Sequence, residues 1–308
     1  MESRAYLLHA LSPLHAGTGQ SVGVIDLPLA RMRATGIPFV PGSSLKGVLR
    51  ELRRPASEEG DAGARHAAVF GPKRAQAGPE GDVAGDFAGA LVVGDARLLA
   101  LPVRSFVGTF AWVTSPLLLA LARRDVGGPA VKPLEKRGAR VASLKECANV
   151  YSSPGQPPRV YLEDLDVEVE PTGDAALSAW ARSLARALPE AERELLTRRL
   201  VLVDDETMSF LWETATQVDT RVSIDEKTGT AAKGQLWTEE SLPAETLLVG
   251  VMGATRALHP ARPLPAGEVL AEALGVEGTV VQLGGKATVG RGRCRLLAWP
   301  DGAAEGAR

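Results

Sequence analysis

Residues 15–26 read HAGTGQSVGVID, and how this stretch is read decides the fold class. A dinucleotide-binding fingerprint needs G-x-G-x-x-G opening a helix directly after a strand. Gly17, Gly19 and Gly23 give G-x-G-x-x-x-G instead and run into VGVID, a β-type segment. A P-loop needs Gly-Lys-Ser/Thr, and PGSSLKG at 41–47 places its serines before the lysine. Both nucleotide motifs fail. The stretch reads instead as a glycine-permissive loop delivering His15 and Asp26. Elsewhere strands and helices alternate without a long parallel βαβ series, so the expected class is α+β, a sheet with helices on one side.

Working outward, AYLLHAL (5–11) is short and apolar, a buried first strand. Residues 12–42 are rich in Gly and Pro and read as loop with short extended pieces. A helix follows from Ser43 or Ser44, whose hydroxyls are placed to cap it. Leu45, Val48, Leu49 and Leu52 fall at i, i+3, i+4 and i+7 on a buried face, leaving Lys46, Arg50, Arg53 and Arg54 outward. Residues 56–88 read as an insertion around the turn FGPKR.

Downstream, 91–103 reads as strand, and Ser115–Arg124 as a helix capped by Ser115 with Pro116 at its first position. Residues 126–160 read as a polar insertion, and VYLEDLDVEVE as one half-exposed strand. Asp174 is placed to cap a helix bearing Leu177, Trp180, Leu184 and Leu188; Pro189 separates it from a second. VLVD, VSID and QLWTEE read as strands with EKTG as a hairpin turn. TVVQLGG and RGRCRLLAW bracket the loop GGKATVG, and a short helix spans 266–274. The reading is one domain over 1–308, with insertions at 56–88, 126–160 and 201–235.

Composition bounds the function. The chain has 308 residues and a formal charge of −2, which argues against coating nucleic acid with the whole surface but leaves local patches. Arg31–Arg54 holds six basic residues and one acid, and 284–297 holds four basic residues and no acid. Cys147 and Cys294 are far apart and outside any C-x-x-C pair, so neither a zinc ribbon nor a disulfide framework is supported. A reducing cytoplasm is the expected setting. No export signal or membrane-spanning apolar run is read.

Two stretches carry anion-binding chemistry. In GGKATVGRGRCR, Gly284, Gly285 and Gly290 surround Lys286, and Arg291, Arg293 and Arg295 follow at every second position, on one strand face. The same pattern also serves as a solvated edge that resists aggregation. In PGSSLKGVLRELRR, Ser43, Ser44 and Lys46 reinforce a helix N-terminus, with Arg50 beyond. Two such sites in one chain read as a sugar–phosphate backbone surface.

His15 can shuttle a proton, and Asp26 can accept one, hold a metal ion or align a hydroxyl. The competing reading makes Asp26 a turn cap before Pro28 and His15 a surface residue. Trp237, Glu239 and Glu240 in QLWTEE form a weaker accessory set, read as packing and surface solvation.

The ordered series LHAGTGQSVGVIDLPLAR (14–31), GIPFVPGSSLKGVLR (36–50), VFGP (69–72), DARLLALPVRSFVGTFAWVTSPLLL (95–119) and QLGGKATVGRG (282–292) closely resembles the RAMP superfamily of CRISPR proteins. Within it, the likeness is to the repeated backbone subunit of the Cmr, type III-B, effector complex. The Csm (type III-A) backbone subunit is the nearest rival. The resemblance implies a ferredoxin-like, RNA-recognition-type palm with an inserted β-hairpin thumb. It implies partners too: CRISPR guide RNA, single-stranded target RNA, further copies of the chain and other Cmr subunits, with no membrane. It implies Asp-dependent endoribonuclease cleavage at regular intervals, with Asp26 catalytic and His15 nearby, and Mg or Mn held at Asp26. A non-catalytic filament subunit and a mononucleotide-binding protein are the alternatives.

Overall fold

β1 (Glu2–Ala10) sits inside a large sheet with apolar layers on both of its sides. Tyr6, Leu8 and Ala10 belong to one layer and Leu7 to the other, all fully buried. The computed structural model describes residues 1–17, 25–72, 87–224, 228–257, 259, 262–275 and 278–300, with the backbone alone at 231–234. The glycines of the GTGQSVG run after Gly17 and part of the FGPKR and EKTG turns lie outside the described residues.

After β1 come β2 (Phe39–Val40), α1 (Gly42–Leu52), α2 (Gly60–Phe70), β3 (Leu91–Val93), β4 (Ala96–Ser105), β5 (Thr109–Thr114) and α3 (Pro116–Val126). Then follow β6 (Ala139–Val141), β7 (Arg159–Leu162), β8 (Leu165–Glu168), α4 (Ala175–Ala187), α5 (Glu190–Thr197), β9 (Leu200–Val203) and α6 (Asp205–Thr214). The chain continues through β10 (Gln217–Ile224), β11 (Ala231–Ser241), β12 (Leu247–Ala254), α7 (Ala266–Leu274), β13 (Thr279–Gln282) and β14 (Arg293–Ala298). The main sheet runs β13-β14-β1-β12-β4-β5-β9-β6, with β5 and β9 parallel and its other neighbours antiparallel. β10 and β11 pair with each other as a two-stranded sheet, to which Leu27 adds an isolated bridge at Glu239.

The α+β class is as expected, but the helices cover both faces of the sheet. Leu45 and Leu49 of α1, Val69 and Phe70 of α2, and Val269 and Leu270 of α7 pack into the Tyr6/Leu8 layer. Leu177, Trp180 and Leu184 of α4 pack into the Leu7 layer. The reason is in the strands: AYLL (5–8) and LLVG (247–250) are continuous apolar runs rather than alternating ones, so both faces need cover. Each fully buried leucine contributes roughly 1.5–3 kcal/mol relative to exposure.

Local predictions fare unevenly. Ser115 Oγ accepts from Leu118 N at 3.4 Å, and Asp174 Oδ1 accepts from Leu177 N at 2.9 Å, as capping residues do. α1 differs: it begins at Gly42, no serine caps it, and Asp95 Oδ1 accepts from Gly42 N at 2.8 Å instead. Leu52, expected in the buried face, is 47% exposed because it ends the helix. The 56–88 insertion contains a helix, α2, built from an alanine-rich run. VYLEDLDVEVE is a hairpin, β7–β8, rather than one strand; Glu163 turns the chain at φ 50, a left-handed conformation glutamate seldom adopts. Among the described residues no helix is long and apolar enough to cross a membrane.

Candidate nucleic-acid interface

β11 organises the site through its alternate residues. Thr238 and Glu240, and Leu242 just past the strand's end, turn main-chain groups toward the early loop, because residues two apart in extended chain point the same way. Leu27 N donates to Thr238 O at 3.1 Å, Glu240 N donates to Leu27 O at 3.0 Å, and Leu14 and Leu242 exchange bonds of 2.8 Å. The two ends of the HAGTGQSVGVID stretch are thereby stitched to one strand more than two hundred residues away.

Asp26 stands exposed on this seam. Its Oδ2 accepts from Thr238 N at 2.7 Å and from Thr238 Oγ1 at 3.0 Å. Its own N–H donates to Thr238 Oγ1 at 3.1 Å. The Thr238 backbone N–H, then its hydroxyl, hold the Asp26 carboxyl below the usual carboxylate range. The group is therefore ionised at neutral pH.

His15 Nδ1 lies 2.6 Å from Glu240 O. A carbonyl only accepts, so Nδ1 carries the hydrogen and Nε2 of the neutral ring keeps its lone pair. The ring lies close over Gly17, where a Cβ would come within 2.4 Å of Nε2. Gly284 backs the same residue: its φ is +72°, and a Cβ there would stand 2.4 Å from His15 O. A cleft of about 270 Å³ results, lined among others by His15, Gly17, Leu27, Ser44, Gly284 and Gly285. Three stretches far apart in the chain thus share one concavity.

The other expected residues divide. Ser43, Ser44, Gly285 and Gly290 are exposed, and nothing crowds the last two. Arg50 is half-buried on α1. Lys46, read as outward-facing, turns inward and donates to Leu91 O at 2.7 Å; burial, then Arg50, lowers its pKa. Lys286, in a left-handed conformation, forms an ion pair with Glu239, and Arg291 pairs with Asp219 of β10 at 2.7 Å. Arg295 Nη1 donates to both carboxylate oxygens of Glu192 of α5, each contact 2.8 Å. The three-arginine face is therefore not a free cationic row. Acids that lie far off in sequence neutralise two of its members, Arg291 and Arg295.

Glu239 and Glu240 are 1% and 3% exposed, which corrects their reading as surface-solvating residues. Glu240 Oε1 accepts from Arg31 Nη2 at 2.5 Å and Thr216 Oγ1 at 2.9 Å, and Oε2 accepts from Leu29 N at 3.0 Å. It is a buried, satisfied brace of the kind an interior carboxylate requires. Trp237 is half-buried in β11, opposite Arg221. Asp95 and Thr238 were not singled out from the sequence. Their partners are distant in the chain, and no local pattern marks them.

Among the described residues no three His, Cys, Asp or Glu side chains gather as a metal site. Of the candidate residues, Asp26 is the exposed carboxylate, whereas Glu239 and Glu240 are buried. That suits a hard divalent ion, which is commonly held by one or two carboxylates together with substrate phosphates and water.

Comparison with known proteins bears on this geometry. The RAMP superfamily model matches residues 7–295. The chain is 32% identical over 294 residues to the CRISPR system Cmr endoribonuclease Cmr4 of Pyrococcus furiosus, covering 94% of each chain. It is similar to the crystal structure of oligomeric Cmr4 from Pyrococcus furiosus, at 26% identity and a TM-score of 0.68, covering 96% of this chain and 97% of that one. A chain of the Type III-B Cmr-beta complex bound to cognate target RNA shares the fold, at 21% identity, a TM-score of 0.69 and 97% coverage of each. The chain belongs to the RAMP superfamily and, within it, to the family of the Cmr endoribonuclease Cmr4.

Proposed function

We propose that this chain is a backbone subunit of a cytoplasmic type III-B effector complex, binding guide RNA together with further copies of itself and other Cmr subunits. It cuts the target RNA paired to that guide, with Asp26 as the catalytic carboxylate. The observation that carries this reading is the exposed, ionised Asp26, locked to Thr238 on the same strand edge that holds His15. A turn-capping aspartate has no need of partners on a strand 212 positions away. Ser43, Ser44 and Gly285 supply the exposed donors for the guide backbone. They read no base edges, which leaves sequence choice to base pairing.

β10–β11 is the thumb. It stands as its own two-stranded sheet, and β10 alternates so that Val218, Val222 and Ile224 face solvent. An apolar face of this kind suits insertion beside stacked bases, splaying one nucleotide out.

In the splayed nucleotide the ribose 2′-hydroxyl swings in line with its own phosphorus. Because its pKa is held down, Asp26 is a better hydrogen-bond acceptor than a base. Its task is to align the hydroxyl, and RNA supplies the nucleophile. The 2′-oxygen bonds to phosphorus as the P–O5′ bond breaks, leaving a 2′,3′-cyclic phosphate and a 5′-hydroxyl. The 2′ proton departs through water or the carboxylate, and the 5′-oxygen takes up a proton. His15, its Nδ1–H committed to Glu240, offers Nε2 for one of these transfers. A divalent ion, Mg or Mn, would be held by Asp26 and would supply neutralisation of the developing charge.

Replacing Asp26 with Asn in the assembled complex tests this. The expected result is full target binding with cleavage lost, and undiminished cutting rejects the catalytic reading in favour of a purely architectural subunit.

A further inference from the structure

We propose that Thr238 is a positioning residue for cleavage, its hydroxyl fixing the Asp26 carboxylate by bonding it at both ends. The inference rests on the catalytic reading of Asp26. Thr238 Oγ1 engages Asp26 in both directions. It accepts from the Asp26 N–H at 3.1 Å and donates its own hydrogen to Asp26 Oδ2 at 3.0 Å. The Thr238 main-chain N–H adds a second donor to the same oxygen at 2.7 Å. With Oδ2 doubly engaged, rotation about the carboxylate's last bond is arrested and the plane of the group is set.

A surface carboxylate otherwise samples several rotamers, and alignment of a reacting hydroxyl is lost in proportion to the time it spends elsewhere. The backbone around the pair is itself pinned, since Leu27 N bonds Thr238 O and Glu240 N bonds Leu27 O. The hydroxyl therefore trims a preset geometry. It is not what holds the loop to the strand. Serine would reproduce both bonds, and valine, of the same shape, would make neither.

The experiment compares single-turnover cleavage and target binding by the assembled, guide-loaded complex carrying Thr238→Val, Thr238→Ser or Asp26→Asn. Thr197→Val serves as control; Thr197 ends α5, and its hydroxyl bonds Glu194 O of the same helix at 3.2 Å. Thr238→Val is expected to slow cleavage about tenfold with target affinity unchanged, Thr238→Ser to restore most of the rate, and Thr197→Val to cut normally. Cleavage by Thr238→Val at the parental rate, or a loss matched by equal loss of target binding, would overturn the inference. Thr238→Ser as slow as valine would overturn it too. If Asp26→Asn itself cuts normally, the catalytic reading has failed. An inert Asp26→Asn beside a fully active Thr238→Val leaves that reading standing and removes only this one.

Discussion

Lys286 and Glu239 form an ion pair that fastens the glycine-rich loop to β11. Glu239 is buried in this pair, while Lys286 keeps a third of its side chain in solvent. Arg291 and Asp219 make a second clasp between the same loop and the hairpin at 2.7 Å. The basic loop is thus held in place by the hairpin's own acids, and both stretches move, or stay, together.

Removing one partner of a buried pair leaves an uncompensated charge, which costs more than the pair itself contributes. Lys286→Ala is expected to destabilise the chain by about 2 kcal/mol, discounted from a fully buried case because Lys286 is partly exposed and Arg221 Nε stands 4.0 Å from Glu239 Oε2. In thermal unfolding this reads as a drop of roughly 3 °C. Adding Glu239→Gln to Lys286→Ala should recover most of the loss; equal melting of Lys286→Ala and the parent would show that the pair carries no net stability.

Chelation separates binding from chemistry. EDTA added to the guide-loaded complex is expected to stop cutting while the target stays bound, because the backbone donors at Ser43, Ser44 and the glycine loop need no ion. Excess Mg or Mn should restore the cut. Cleavage persisting after exhaustive chelation would assign the whole reaction to Asp26, His15 and water.

Cys294 lies fully buried in β14, and burial pushes its thiol from 9.0 up to about 12. The neutral thiol is favoured in the folded chain, so its contribution to stability is complete below pH 9.0 and is lost as pH rises toward about 12. The folded chain is expected to leave Cys294 unlabelled by a thiol reagent at pH 8, with rapid labelling once denaturant is added. Labelling of Cys294 at a free thiol's rate in the native state would contradict its burial.

The sequence carried the elements wherever a local rule governs them. Ser115–Pro116 and Asp174 announced their helices, and α7 fell on the span read for it. VSID and QLWTEE paired as the turn between them indicated. It failed where the deciding partner is remote or the conformation is atypical. Asp95, not a serine, caps α1 from 53 positions away. Glu163 broke one apparent strand into a hairpin, and the second helical layer followed from strands apolar on both faces.

For the site, the chain alone determined which chemistry was on offer: a histidine and an aspartate in a loop that tolerates close approach, two glycine- or serine-bounded basic stretches, and the family likeness they carry. Only the tertiary structure decided how those groups are used. It tied His15 and Asp26 to Glu240 and Thr238, turned Lys46 inward, and neutralised Lys286, Arg291 and Arg295 with acids from β11, β10 and α5. Residue type and spacing fix what a side chain is able to donate or accept. Whether that capacity is spent inside the protein or left for RNA depends on which distant segment the sheet brings within hydrogen-bond reach.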